Sequence, residues 1–126
     1  MAAKKLSPVS AEYVRGTLIR IATKKGEAFN RYFPNASSEG GYIGYELVDD
    51  LTHDQAEYLI YEMEEAVSTF WFNENKVKSG YRGHGRPGLA PEDEGAIQAA
   101  IKDLQRKRKG MERAIGELRE LYDLAN

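Results

Sequence analysis

The sequence contains no cysteine, only two histidines and only four prolines in 126 residues. Without cysteine the chain can form neither a disulfide scaffold nor a thiolate metal site, and it has no cysteine nucleophile. No apolar run approaches the roughly 20 residues of a membrane-spanning helix, and the first ten residues lack the apolar stretch of a signal peptide. Hydrophobic residues make up 41% of the chain and charged residues 30%, as in ordinary globular proteins. The composition predicts one small, soluble, cytoplasmic domain over 1–126, without membrane association.

Charge is strongly segregated along the chain, although the net charge is only −2. Residues 1–26 carry a charge of +5, residues 27–75 carry −10, residues 76–113 carry +5 and residues 114–126 carry −2. Blocks of one sign create local electrostatic potentials that steer charged partners. Opposite charges on neighbouring helices would explain the same pattern as ordinary surface pairing.

Three segments have the apolar period of an α-helix and predict a mainly α fold with three principal helices, at about 10–25, 52–72 and 91–124. Ser10 is expected to cap the first helix and Gly26 to end it. Thr52 and Gln55 form a capping box for the second. The second helix then carries a stripe that predicts core packing, formed by Ala56, Leu59, Ile60, Met63, Val67, Phe70 and Trp71.

The remaining segments are less regular. Residues 1–8 are expected to be flexible, and 73–90 is expected to be a glycine-rich basic loop that ends the second helix. Residues 27–51 leave two structures open, a short strand or an extra helix.

The third helix has a heptad pattern that predicts a coiled-coil seam. A homodimer through this helix and the intramolecular pairing of helices both explain the pattern. The residues assigned to oligomerisation are Ile101, Leu104, Arg108, Met111, Ile115 and Leu118. Arg108, the polar residue in the seam, either fixes the register of an oligomer or reaches water past its own stem, and the second explanation is preferred.

The loop has the composition of a phosphate- or nucleic-acid-binding segment, because glycine lets guanidinium groups and bare amides approach phosphates. Its run Arg82-Gly83-His84-Gly85-Arg86-Pro87 resembles the R-G-R-P core of an AT-hook, with a His-Gly insertion. A solvated connector is the simpler explanation of the same residues. The candidate nucleic-acid or phosphate contacts, including those on the third helix, are Lys78, Tyr81, Arg82, His84, Arg86, Arg106, Lys109 and Arg113.

The second helix also carries an acidic, tyrosine-bearing face opposite its apolar stripe. Tyrosine is enriched in protein interfaces, so this face indicates a docking surface for a basic protein partner. Alternatively, the tyrosine rings close the domain's own core. The residues assigned to partner binding are Glu57, Tyr58, Tyr61, Glu62 and Glu65.

Enzymatic chemistry has weaker support. The E-x-x-E pair of Glu62 and Glu65, and the array of Glu117, Glu120 and Asp123, have the spacing with which a helical nucleotide hydrolase holds magnesium. No nucleotide-binding fingerprint or catalytic triad motif accompanies them. The working hypothesis is therefore a non-enzymatic binding protein, without cofactor, metal or catalytic residues, that regulates or inhibits a nucleic-acid-handling partner. A nucleic-acid or phosphorylated-ligand binder is the alternative, and a magnesium-dependent nucleotide hydrolase ranks third.

Overall fold

The structure, a computed structural model, describes residues 5–34, 36, 44–83 and 91–124, with 79–83 and 91–93 described by their backbone alone. These residues form five α-helices and no strand. The helices are α1 (Pro8–Lys24), α2 (Gly26–Tyr32), α3 (Tyr45–Asp49), α4 (His53–Gly83) and α5 (Pro91–Leu121). The predicted mainly α fold is confirmed. For residues 27–51 a short strand or an extra helix had been left open, and the described part of this segment contains α2 and α3 and no strand.

Helix α1 begins two residues earlier than predicted. Ser7 is its N-cap, and the backbone N–H of Ser10 donates to the Ser7 hydroxyl at 3.4 Å. Pro8 follows at the first helical position, where its missing N–H is no loss. Leu6 packs against the core. The expectation that residues 1–8 are flexible stays a prediction.

The end of α1 also differs from the prediction. Helix α1 ends at its C-cap Lys25, whose N–H still donates to the carbonyl of Ile21. Gly26 is the first residue of α2 and does not end α1. Two rings then anchor α2, since Phe29 and Phe33 are buried and stack with centroids 5.1 Å apart.

Helix α4 starts as predicted and ends later. The N–H of Thr52 donates to the Gln55 side chain at 2.9 Å, and the N–H of Gln55 donates to the Thr52 hydroxyl at 3.1 Å, which is the predicted capping box. The expected loop 73–90 is wrong up to Gly83, because α4 continues that far. Glu74 is buried against α5, and Lys78 on the next turn donates to it at 2.8 Å. This packing outweighs the poor helix propensity of the glycines near the end of the helix.

Helices α4 and α5 form a long antiparallel hairpin. Arg119, near the end of α5, donates to Glu64 at 2.9 Å, and Gln105, earlier in α5, donates to Glu74, further along α4, at 3.2 Å. Each helix has 31 residues and is therefore about 46 Å long. Helix α1 packs on both, and the core between them contains Val14, Leu18, Ile21, Leu59, Met63, Ala114 and Leu118.

The heptad seam of α5 is occupied within the chain. Ile101, Met111, Ile115 and Leu118 are buried and Leu104 is partly buried in the single chain. Intramolecular helix pairing, one of the two explanations left open, therefore accounts for the pattern, and the side chains assigned to a homodimer are already covered.

Candidate functional site

The five residues predicted to bind a partner divide into two groups. Glu57, Tyr61 and Glu65 are exposed on α4, whereas Glu62 is 1% exposed and Tyr58 is partly buried. The prediction that all five share a solvated face is therefore wrong for Glu62 and Tyr58.

Glu62 is buried because α1 covers it with cations. The Nζ of Lys25 donates to its two carboxylate oxygens at 3.1 and 3.0 Å, and the guanidinium of Arg20 lies 3.9 Å away. The Tyr58 hydroxyl donates to the same carboxylate at 2.8 Å, and its ring stacks on Tyr32 with centroids 4.0 Å apart. Burial, reinforced by the hydrogen bond to Glu62, raises the pKa of Tyr58. These contacts hold the helices together and leave Glu62 no role at the surface.

Two of the exposed residues, Glu57 and Tyr61, line a cleft of about 380 Å³ between the first half of α4 and the end of α5, which we call the acidic cleft. It is lined by His53, Glu57, Ile60, Tyr61, Glu64, Arg119, Asp123 and Leu124. Three of these are carboxylates, and Arg119 is already engaged with Glu64. The cleft therefore presents excess negative charge above an apolar floor.

The end of α5 shapes the far wall of the acidic cleft. Asp123 has a φ of 54°, in the left-handed region, and the N–H of Leu124 donates to the carbonyl of Arg119 at 2.8 Å. This is the hydrogen-bond pattern of a Schellman-type helix end. It turns the chain back so that Asp123 and Leu124 both face α4 across the cleft.

Tyr61 is an exposed aromatic side chain of the acidic cleft, with 58% of its surface accessible. Its hydroxyl lies beside Glu65, and the hydrogen bond to that carboxylate raises the pKa of Tyr61. The ring thus stands in solvent, surrounded by Glu57, Glu64 and Glu65 on the same helix.

Two further aromatic residues of α4 are exposed. Phe72 is 67% exposed and lies eleven residues, about three helical turns, beyond Tyr61 on the same face. Trp71 was predicted to be core, but it is 45% exposed, because it lies at the edge of the apolar stripe. The guanidinium of Arg108 covers one face of its ring, 3.9 Å from the centroid.

The preferred explanation, that Arg108 reaches water past its own stem, is wrong. Its side chain is only 12% exposed and lies between Trp71, Glu74 and Glu112, with 3.1 Å to Glu112 and 3.9 Å to Glu74. It is a covered cation within the α4–α5 seam.

Of the candidate nucleic-acid contacts whose side chains the structure describes, Arg106, Lys109 and Arg113 are exposed at i, i+3 and i+7 on one face of α5, and Lys78 lies on α4. Lys78 donates to Glu74, Arg106 to Asp103 and Arg113 to Glu117, and Lys109 is exposed. Tyr81 and Arg82 belong to the last turn of α4, but their side chains are outside the described residues, as are His84 and Arg86 altogether. The charges of Lys78, Arg106 and Arg113 are therefore partly neutralised by the carboxylates to which they donate.

The candidate metal ligands are also engaged in other contacts. Glu62 is held by Lys25, and Glu117 accepts from the N–H and hydroxyl of Ser7 at 2.8 and 3.0 Å and from the Ser10 hydroxyl at 2.8 Å. Within the described residues, no cluster of three or more histidine, aspartate or glutamate side chains has the arrangement of a metal site.

Comparisons with models of protein families, with curated proteins and with solved structures found no match to this chain. In the described part of the chain, no helix combines the length and the apolar character needed to cross a membrane.

The sequence analysis assigned Glu57 and Tyr61 to partner binding, and its set did not include Glu64, Asp123 or Leu124. Glu64 follows Glu57 at i+7 and Tyr61 at i+3, so the helical period alone places the three on one face. The contribution of α5 depends on the fold of the hairpin and has no local signal.

Proposed function

We propose that this protein is a non-enzymatic binding protein that holds a basic segment of a protein partner in the acidic cleft. The observation that carries the proposal is the exposure of Tyr61, a large aromatic side chain that stands among carboxylates at the mouth of a cleft. Aromatic rings in such positions provide rigid contact area, and surrounding charges steer the partner to them.

The chemistry of the cleft defines the partner. Glu57 and Asp123 offer carboxylates to arginine or lysine side chains, and the floor formed by Ile60 and Leu124 accepts an apolar side chain between them. Phe72 extends the contact surface along α4. A segment that alternates basic and apolar residues satisfies these features together.

A basic surface is also what a nucleic-acid-handling protein presents to phosphates. When such a surface is bound in the acidic cleft, it is covered and unable to bind nucleic acid. Regulation or inhibition of a nucleic-acid-handling partner is therefore the specific role that we propose.

A short fluorescein-labelled peptide that alternates Arg and Leu tests the proposal, with anisotropy as the readout. The full chain should bind it with an affinity that falls as salt rises. Tyr61→Ala should weaken binding about tenfold, the scale of a central interface aromatic. The double variant Glu57→Gln/Asp123→Asn should weaken it several-fold and reduce the dependence on salt.

The matched control is Glu27→Gln/Glu46→Gln, which removes two exposed carboxylates from α2 and α3, away from the cleft. If the control weakens binding as much as the cleft variant, general charge attraction explains the binding and the assignment of the cleft is wrong. Failure of the chain to bind the peptide at low salt would also overturn it.

A further inference from the structure

A second concave surface lies between α1, α4 and α5, and we call it the basic groove. Its volume is about 540 Å³, and its lining comprises Glu12, Tyr13, Gly16, Thr17, Arg20, Lys24, Ala66, Thr69, Phe70, Arg106, Lys107 and Met111. The α4 residues of this lining lie on the side of the helix turned away from the acidic cleft, as the period of 3.6 residues per turn requires.

The charge of the groove comes from two helices. Arg20 and Lys24 project from α1, Arg106 and Lys107 project from α5, and the α4 lining carries no charge. Glu12 is the single carboxylate among the described lining residues. The rim therefore carries excess positive charge.

Two carboxylates behind the rim bind some of these cations. Asp103 accepts from Arg106, and the Lys107 Nζ lies 3.0 Å from it, while the buried Glu62 faces Arg20 at 3.9 Å. The Asp103 pairs are solvent-exposed, with 44–68% of each side chain accessible. Exposed ion pairs of this kind exchange partners at little cost, so an arriving carboxylate can share Arg106 and Lys107.

The floor of the basic groove is apolar. Tyr13 and Phe70 are partly buried against the core, and Met111 is buried beneath them. The Thr17 hydroxyl donates to the carbonyl of Tyr13 at 2.8 Å, so its hydrogen bond is made within α1 and does not call for a polar ligand. The floor is suited to apolar side chains.

Gly16 keeps the groove open from the side of α1. It is exposed in the middle of the helix, and a Cβ placed there would meet nothing within 4 Å. Folding therefore gains nothing from glycine at this position, where it costs about 1 kcal/mol relative to alanine. The bare backbone instead lets another chain approach α1 closely beside the basic rim.

We propose that the basic groove binds an acidic amphipathic segment of another protein, with its apolar side chains on Phe70 and Met111 and its carboxylates on the cations of the rim. The charge of the rim selects an acidic partner, and the apolar floor selects side chains over phosphates. Glu12 and Asp103 would repel a polyphosphate backbone but tolerate a peptide whose charges are spaced. This site is separate from the acidic cleft and binds a partner of the opposite charge.

Two fluorescein-labelled model helices test the proposal by anisotropy on the full chain. Both have Leu at i, i+3, i+4 and i+7, and the remaining positions are Glu in one and Gln in the other. The Glu helix should bind at least about tenfold more tightly than the Gln helix, with an affinity that falls with salt. Arg106→Gln/Lys107→Gln should weaken the Glu helix several-fold.

Gly16→Leu should fill the groove and weaken the Glu helix about tenfold, whereas Gly116→Leu should not change its affinity. The two glycines are matched, because each lies exposed within a helix and has open space where its Cβ would be. Thermal unfolding followed by circular dichroism establishes that both variants fold. Equal effects of the two variants, or an unchanged affinity in Gly16→Leu, would overturn the proposal.

Other occupants give different results, each of which overturns the proposal. An oligothymidylate that binds while the Glu helix does not would assign the groove to nucleic acid. Sedimentation without any peptide tests for self-association. If the chain self-associates and Gly16→Leu abolishes this, the groove is assigned to a second copy of the chain. Glu57→Gln/Asp123→Asn should leave binding of the Glu helix unchanged, so this test and that of the acidic cleft fail or succeed separately.

Discussion

The Nζ of Lys25 lies 3.0 Å from one carboxylate oxygen of Glu62 and 3.1 Å from the other, and this ion pair joins the C-cap of α1 to the first half of α4. Glu62 is 1% exposed, whereas the Lys25 side chain is 42% exposed and covers it from the solvent side. Arg20 donates to the backbone carbonyl of Glu62 at 3.3 Å. The same residue of α4 therefore helps to position one cation of the basic groove.

Glu62→Ala should destabilise the protein by about 2–3 kcal/mol. The change removes the acceptor of Lys25 and of the partly buried Tyr58 hydroxyl, and it leaves a gap in the packing. Lys25 then reaches water, which limits the loss. Urea unfolding followed by circular dichroism measures the change in the free energy of unfolding.

Glu65→Ala is the matched control, because Glu65 also faces Lys25, at 3.8 Å, but is half exposed. Its free energy of unfolding should stay within about 0.5 kcal/mol of the unmodified chain. Similar losses in the two variants would show that burial of Glu62 does not contribute.

The local parts of this fold were predictable from the sequence. The capping box of Thr52 and Gln55 forms as expected, because both partners lie within one turn. The stripe from Ala56 to Met63 is buried as its spacing indicates. The extension of α4 to Gly83 was not predicted, because a glutamate such as Glu74 is expected to be exposed. Its burial depends on α5, from which Gln105 donates a hydrogen bond to it.

The sites were less predictable, since they depend on contacts between distant segments. Glu62 and Glu65 have the same chemistry and neighbouring positions, and only the arrival of Lys25 and Arg20 from α1 separates a buried residue from an exposed one. The basic groove needs three helices side by side. Its cations were visible as two basic blocks of sequence, but nothing local shows that they meet.

Stability at low pH should depend on Glu117. Burial alone would raise the pKa of this carboxyl, but hydrogen bonds from Ser7, Ser10 and Arg113 outweigh it and lower the pKa. The carboxylate therefore stabilises the fold above the ordinary glutamate pKa of about 4.3, and this stabilisation is lost as the pH falls through the lower pKa of the folded state. Glu117→Gln should cost about 1–2 kcal/mol near pH 7.

The pH dependence separates this effect from a general loss of stability. Between about pH 7 and about pH 3, the free energy of unfolding should fall less in Glu117→Gln than in the unmodified chain. Glu27→Gln, which alters an exposed carboxylate of α2, serves as control. If Glu117→Gln and the unmodified chain lose equal stability on acidification, the role of Glu117 is disproved.

Gly110 and Gly116, in the second half of α5, should respond differently to alanine. Gly116→Ala should raise the free energy of unfolding by about 0.5–1 kcal/mol, because alanine favours the helix and its Cβ meets open space. Gly110→Ala should lack this gain, since its Cβ would collide with the Tyr13 ring. In a Tyr13→Ala background, Gly110→Ala should recover the gain. If Gly116→Ala, Gly110→Ala and Gly110→Ala in the Tyr13→Ala background all raise the free energy of unfolding by the same amount, the contact with Tyr13 is contradicted.

Arg108 should control the environment of Trp71, the one tryptophan of the chain. The guanidinium covers one face of the indole, so Arg108→Ala should expose the ring, shift its fluorescence to longer wavelength and increase quenching by acrylamide. Lys109→Ala, on the exposed side of the same helix, should leave both signals unchanged. Unaltered emission in Arg108→Ala would mean that the stacked arrangement is not populated in solution. The change would also remove a cation beside the buried Glu74, so unfolding in urea should begin at a lower concentration.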